Sequence, residues 1–139
     1  MLLKGKKIVL GVTGGIAVYK AVDLVSRLRK QGAEVRVVMT EHARQFVTPL
    51  TFKEISGNAA TSMWNSNQEF NVEHIALANW ADVFVVAPAT ANIIAKMAHG
   101  LADDLLSTTL LAAQAPIIVC PAMNTGMYEN ALTQENITC

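Results

Sequence analysis

The feature that most constrains the fold of this chain is an unbroken apolar run at residues 83–87, which ends at a proline. A strand whose consecutive residues are all apolar is typical of parallel sheets, in which both faces are covered. Pro88 has no amide proton to donate, so the strand is predicted to stop there. Residues 117–120 form a second run of this type. Because ligands of open α/β sheets bind beyond the carboxyl ends of strands, the turns at 89–92 and 121–124 are predicted to line one crevice.

The alternation of strand and helix patterns predicts the fold class. Two more strands are predicted, at Lys7–Val12, which is a short apolar run, and at Glu34–Met39, in which polar and apolar residues alternate. Helical spacing is found in a segment that Gly32 ends, and at residues 43–55, 71–81, 91–97, 103–113 and 131–137. Strands that alternate with helices predict a doubly wound parallel sheet in a three-layer, Rossmann-like α/β sandwich. We expect one domain over residues 1–139.

Several expectations concern which side chains face the core. Pro49 is expected to break the helix at 43–55, with Phe46 and Phe52 facing inward. Residues 57–70, which include Trp64, lack periodicity and are predicted to form a surface excursion. The residues of the segment 71–81 that are predicted to face the core are Ile75, Leu77 and Ala78.

Composition and charge narrow the classes of function. The 11 basic and 11 acidic side chains cancel, which disfavours nucleic acid and anionic membranes as partners. No run is long enough to span a membrane, so a cytoplasmic protein is expected. Cys120 and Cys139 have no metal-ligand spacing with any histidine, so we predict two thiols and no metal. An apolar fraction of 52% is compatible with subunit contacts in a homo-oligomer.

A glycine turn, with Gly14, Gly15 and Ile16, joins the strand Lys7–Val12 to the next helix. Such a turn offers backbone amides and the positive end of the helix dipole to a phosphate. The dinucleotide and Walker spacings are both absent, so phosphate binding and simple helix packing remain open. Thr40, at the end of Glu34–Met39, is expected to cap the segment that follows, or to turn its hydroxyl toward a phosphate.

Two other polar features have ordinary explanations on sequence alone. A single histidine such as His74 is more often a surface or capping side chain than a catalyst. The hydroxyl cluster at residues 107–109, which begins with Ser107, indicates packing or ligand contact, and packing is the simpler explanation.

Four longer segments together resemble a known enzyme family. They are GVTGGIAVYK at 11–20, HIALANWAD at 74–82, APATANIIAKMAHGLADDLLST at 87–108 and PAMNTGMYEN at 121–130. Over nearly its whole length the chain is similar to the homo-oligomeric flavin-containing cysteine decarboxylases. Within that family it most resembles the branch that acts on 4'-phosphopantothenoylcysteine in coenzyme A biosynthesis. The most specific part is PAMN with Met127 three positions later, while Tyr128 stands where the family often has tryptophan.

The resemblance implies FMN as the cofactor, a small-molecule substrate, and trimers or assemblies of trimers. It implies that His74 is the catalytic base and that Asn124 holds the substrate carboxylate. The residues that it places at the cofactor are Gly14, Gly15, Ile16, Thr40, Thr90, Ala91, Asn92 and Ser107. Those that it places at the substrate are Ala122, Met123, Asn124 and Met127.

The resemblance leaves other activities open, namely a peptidyl-cysteine decarboxylase, a flavin prenyltransferase, or a non-catalytic flavin-binding regulatory protein. Fuller family members carry a flap after PAMN with an Ala-Cys-Gly motif, whose cysteine donates the last proton. No Ala-Cys-Gly occurs in this sequence, so we expect the chain to lack that flap. Cys139 follows PAMN too soon to be assigned the same role.

Overall fold

A computed structural model describes residues 2–58 and 70–139, and in the helix that begins at Phe70 it describes the side chains from residue 74 onward. In these residues, four parallel strands form one sheet in the order β2-β1-β3-β4. The strands are β1 (Lys7–Val12), β2 (Glu34–Met39), β3 (Val83–Ala89) and β4 (Ile117–Pro121). The first two have the predicted bounds.

Helices cover both faces of the sheet, so the predicted doubly wound, three-layer α/β sandwich is confirmed. They are α1 (Val18–Lys30), α2 (Pro49–Ser56), α3 (Phe70–Trp80), α4 (Ala91–His99), α5 (Leu105–Ala112), α6 (Thr125–Glu129) and α7 (Ala131–Thr138), with a 3₁₀ turn at Ala43–Gln45. Among the described residues, none of these helices is both long and apolar enough to cross a membrane.

The core has one half on each side of the sheet, because alternate strand residues point to opposite faces. On one side, Leu10 and Val12 of β1 pack with buried Val18 and Val25 of α1 and Phe52 of α2. On the other side, buried residues of the sheet pack with residues from three helices, including Val9, Phe84 and Val86 of the sheet with Leu77, Ile93 and Leu105. Burial on both faces explains the continuous apolar runs in β1 and β3.

The strand order creates a switch point between β1 and β3. From β1 the chain moves through α1 to β2 on one side, whereas β3 lies on the other side of β1 and leads on to β4. The loops that follow β1 and β3 therefore diverge, which opens a crevice at the carboxyl ends of these two strands. The glycine turn and the turn after β3 both begin at this crevice.

Two expectations about the strands are wrong. β3 does not stop before Pro88 but continues to Ala89, which pairs with Pro121 after an irregularity in the register. Pro88 therefore interrupts the ladder without ending the strand. β4 is not buried on both faces, since Ile118 is 53% exposed and Cys120 is exposed. Its position at the edge of the sheet accounts for this exposure.

Expectations about the helices are corrected at three places. The segment 43–55 is not one broken helix, because Pro49 occupies the first turn of α2, where no amide hydrogen bond is needed. Phe46 is 37% exposed and Ile75 is 51% exposed, so neither faces the core as predicted, whereas Phe52, Leu77 and Ala78 do. Residues 59–69, the main part of the expected surface excursion with Trp64, lie outside the described residues.

The two phenylalanines on either side of Pro49 provide a test of the packing. We expect Phe52→Ala to lower the free energy of unfolding by about 3–5 kcal/mol, because a large, fully buried side chain leaves a cavity. Phe46→Ala is the matched control and should have a much smaller effect, since that ring is partly exposed. Chemical denaturation of both variants measures the difference. Equal losses would contradict the assigned packing.

Candidate functional site

A cavity of about 540 Å³ occupies the crevice at the switch point. This volume lies within the range of small-molecule and cofactor sites, about 300–1,000 Å³. Five segments line it: the glycine turn, the end of β2, the turn into α4 with the first turns of that helix, the N-cap of α5, and the segment after β4. The lining residues are Thr13, Gly14, Gly15, Thr40, Glu41, His42, Thr90, Ala91, Asn92, Ile93, Lys96, Asp104, Ala122, Met123 and Met127. The predicted meeting of the turns that follow β3 and β4 is therefore observed.

Thr13 ties the two strand ends of the crevice together. It is 2% exposed, and its hydroxyl donates to the Pro88 carbonyl oxygen at 2.5 Å while accepting from the Thr90 amide at 3.1 Å. A buried hydroxyl that both donates and accepts satisfies two backbone groups at once. The hydrogen bond from the Thr90 amide to Thr13 positions Thr90 at the start of α4. There the Thr90 hydroxyl accepts a hydrogen bond from the Ile93 amide at 3.3 Å.

The glycine turn presents free backbone donors. In the part of the chain that the structure describes, the amides of residues 14–17 have no hydrogen-bond acceptor, whereas the Val18 amide already bonds back to Gly15. Gly15 has a φ of 152°, a conformation that side chains other than glycine rarely adopt. Consecutive free amides before a helix form an anion-binding arrangement. Ile16 is 78% exposed and is not among the lining residues.

The end of β2 supplies another wall. The Thr40 amide donates to the Val12 carbonyl at 3.0 Å, which holds the end of β2 against β1. The Thr40 hydroxyl accepts from the Ala43 amide at 3.2 Å, so the predicted cap is present, and the residue also lines the cavity. Glu41 and His42 follow on the same wall. Neither Glu41 nor His42 is among the site residues predicted from the sequence.

The segment after β4 closes the cavity on the side of the predicted substrate residues. The Ala122 amide donates to the Ala89 carbonyl at 2.9 Å, which joins this segment to the end of β3. Ala122, Met123 and Met127 line the cavity. Asn124 is exposed and caps α6, with its Oδ1 accepting from the Met127 amide at 2.8 Å. It is not a lining residue, but Met123, which precedes it, and Met127, whose amide donates to it, both line the cavity, so Asn124 lies at the cavity margin.

Two further charged lining residues, Lys96 and Asp104, were not predicted from the sequence. Lys96 lies four residues after Asn92 on α4, and this spacing places both on one helix face. Its Nζ is 2.8 Å from Asp103 Oδ1, and this hydrogen bond holds the pKa of the Asp103 carboxyl below its ordinary value. Asp104 is the N-cap of α5 and could have been found from its capping-box spacing to Ser107.

Two further predicted site residues, Ser107 and His74, do not line the cavity either. Ser107 is buried, and its hydroxyl and amide are bonded to Asp104 at 2.6 Å and 2.8 Å. It does not line this cavity, so the structure gives it a capping position. His74 lies half-buried in α3 and is also absent from the described lining residues. Cys120 and Cys139 are both exposed, free thiols, as predicted.

Comparisons with known proteins connect this geometry to a family. The family model described as Flavoprotein matches residues 2–139. The coenzyme A biosynthesis bifunctional protein CoaBC of Vibrio vulnificus strain YJ016 is 54% identical over 136 residues, which are 97% of this chain and 34% of that protein. CoaBC of Escherichia coli K12 is 53% identical over 138 residues, 99% of this chain and 34% of that protein. The chain thus spans about a third of the length of these relatives.

Solved structures share the fold. The FMN-dependent cysteine decarboxylase SpaF aligns with a TM-score of 0.90 at 36% identity, covering 98% of this chain and 79% of SpaF. A mutant PPC decarboxylase in complex with pantothenoylaminoethenethiol aligns with a TM-score of 0.79 at 32% identity, covering 96% of this chain and 75% of that one.

The bond that ties the crevice together can be tested by two substitutions. We expect Thr13→Val to lower the free energy of unfolding by about 1–3 kcal/mol. Valine has nearly the shape of threonine, but it leaves the Pro88 carbonyl and the Thr90 amide without their hydrogen-bond partner. Thr13→Ser keeps the hydroxyl and gives up one methyl group, so it should lose less, about 1 kcal/mol. Denaturant titrations rank the two. If Thr13→Val proved the more stable, the hydroxyl would not have the role described.

Proposed function

Because the chain belongs to the flavoprotein family, we propose that it binds FMN in the switch-point cavity and decarboxylates the cysteine carboxylate of 4'-phosphopantothenoylcysteine. The observation that carries the proposal is that the glycine turn, the turn into α4 and the segment after β4 line one cavity. These are the segments in which sequence resemblance locates the cofactor and the substrate. We further propose that the protein acts as a homo-oligomer in the cytoplasm.

The residues of the cavity fit FMN. The free amides of residues 14–17 suit a single phosphate group. Small and apolar side chains, including Ala91, Ile93 and Met123, suit a flat ring, while Thr90 and Asn92 offer polar groups for its edges. When bound, FMN supplies a two-electron oxidation of the cysteine side chain, which makes loss of CO2 possible.

Asn124 is proposed to orient the substrate carboxylate. Its Oδ1 is held by the Met127 amide, which fixes the side chain and leaves the Nδ2 hydrogens free to donate. An amide donor binds a carboxylate by a charge-assisted hydrogen bond without adding a charge that would hold the carboxylate back. The position at the cavity margin, beside Met123 and Met127, is where a substrate that covers the flavin would extend.

His74 is proposed as the base that removes the proton of the substrate thiol. Its position in α3, away from the described lining of the cavity, supports a site completed by a second copy of the chain. In that arrangement α3 of one subunit supplies His74 to the cavity of its neighbour. Exposed apolar residues such as Ile75 on the same helix are consistent with a subunit contact.

The activity is tested by mixing the purified protein with 4'-phosphopantothenoylcysteine and measuring CO2, with a peptide that ends in cysteine as the competing substrate. We expect the protein to release CO2 from the first substrate, and to release FMN when it is denatured.

A variant tests the role of Asn124. In Asn124→Asp the new carboxylate still caps α6, so the melting temperature and the amount of bound FMN should be kept. The rate of CO2 release should fall about tenfold to a hundredfold, since a donor is lost and a negative charge faces the carboxylate. CO2 from the peptide alone would refute the substrate, and an unchanged rate in the variant would refute the role of Asn124.

The sharing of the site between subunits predicts complementation. Alone, His74→Asn should be inactive and Asn124→Asp should keep at most about a tenth of the wild-type rate. Co-expression with two affinity tags should give mixed oligomers that release CO2 faster than either variant. With random assembly in a cyclic oligomer, about a quarter of the sites would combine an intact His74 with an intact Asn124. The expected activity is therefore about a quarter of the wild-type value. Mixed oligomers without activity would show that both residues serve a site within one subunit.

A further inference from the structure

His42 lies directly on the backbone of the glycine turn. A β-carbon built on Gly14 would be 2.6 Å from both Cγ and Nδ1 of His42 and 2.8 Å from its Cβ. Rotation of the ring cannot relieve the third contact, because Cβ does not move with the side-chain torsions. The absence of a side chain at Gly14 is thus what lets the imidazole reach the turn. Phe46 supports the ring from another side, with centroids 5.6 Å apart.

The imidazole is available to a ligand. Among the described residues, neither ring nitrogen of His42 has a hydrogen-bond partner, and the side chain lines the cavity. The other charged groups on the wall are already engaged: Glu41 with Arg44 at 3.4 Å, Lys96 with Asp103 at 2.8 Å, and Asp104 with Ser107. One ring nitrogen carries a proton in either neutral tautomer, and both do in the cation, so a donor is always present.

The place of this donor determines what it recognises. It lies against Gly14 of the turn whose amides at residues 14–17 have no described acceptor, and Gly14, Gly15 and His42 all line the cavity. Backbone amides and an imidazole N–H together favour an anion with several acceptor oxygens. Resting on the proposed binding of FMN, we propose that His42 donates a hydrogen bond to the FMN phosphate and makes the cavity select FMN over riboflavin.

The experiment compares FMN and riboflavin, which differ only in the phosphate. Flavin-free protein, prepared by reversible removal of the cofactor, is titrated with each flavin, and the dissociation constant is read from flavin fluorescence. We expect His42→Ala to weaken FMN about tenfold, as for a hydrogen bond to a charged group, with riboflavin unchanged. His42→Gln retains an N–H donor and should lose less. His99→Ala, an exposed histidine outside this cavity, is the matched control and should change neither constant.

Three results would overturn the inference. Equal weakening of both flavins would mean that His42 only supports the shape of the turn. Unchanged FMN binding with a raised KM for the phosphorylated substrate would assign His42 to the substrate phosphate instead. A wild-type protein that binds neither flavin would remove the proposed function and this inference together, whereas the first two results would leave the proposed function standing.

Discussion

The hydroxyl of Thr13 joins the two strand ends between which the cavity opens, since it bonds to both the Pro88 carbonyl and the Thr90 amide. Beyond the last residues of a parallel pair, backbone groups no longer have ladder partners and the loops turn apart. The buried Thr13 hydroxyl is the hydrogen-bond partner that water would otherwise provide to the Pro88 carbonyl and the Thr90 amide. The same purpose is served by the Ala122 amide on the Ala89 carbonyl, and by the Thr40 amide on the Val12 carbonyl. The cavity is therefore framed by bonds that the sheet itself requires.

Within this frame, the two glycines of the turn are required for different physical reasons. Gly15 is required by its own backbone torsion, whereas Gly14 is required by a neighbour, the ring of His42. Neither constraint involves a ligand, yet both leave the amides of residues 14–17 uncovered at the start of α1. The proposed anion site is thus a consequence of how the turn is packed, and in that proposal the imidazole adds a side-chain donor to backbone donors that are already in place.

The sequence predicted the parts of this protein that depend on local pattern. β1 and β2 have their predicted bounds because Lys6 and Thr13 flank the apolar run of β1, while the alternating pattern of β2 begins at Glu34 and ends before Thr40. The exposure of Phe46 and Ile75 could not be predicted, because periodicity does not say which side of a short apolar segment meets a neighbour. His42 could not be found either, since a single histidine forms no pattern and its meaning arises only against Gly14. Lys96 was open to prediction, because it lies one turn after Asn92.

The frame and the proposed chemistry depend on different elements, and this has a consequence for the family. Thr13, Thr40 and Thr90 bond to backbone near the ends of the strands, so altering them disturbs the fold as well as the cavity. Asn124 needs only its oxygen for the fold, because an aspartate would cap α6 equally well. In the proposed mechanism, substitutions of His74 on α3 and of Asn124 before α6 therefore change the reaction while the frame is kept. The chain shares its fold with SpaF at 36% identity and with PPC decarboxylase at 32%, and this separation allows one fold to be kept while site residues vary.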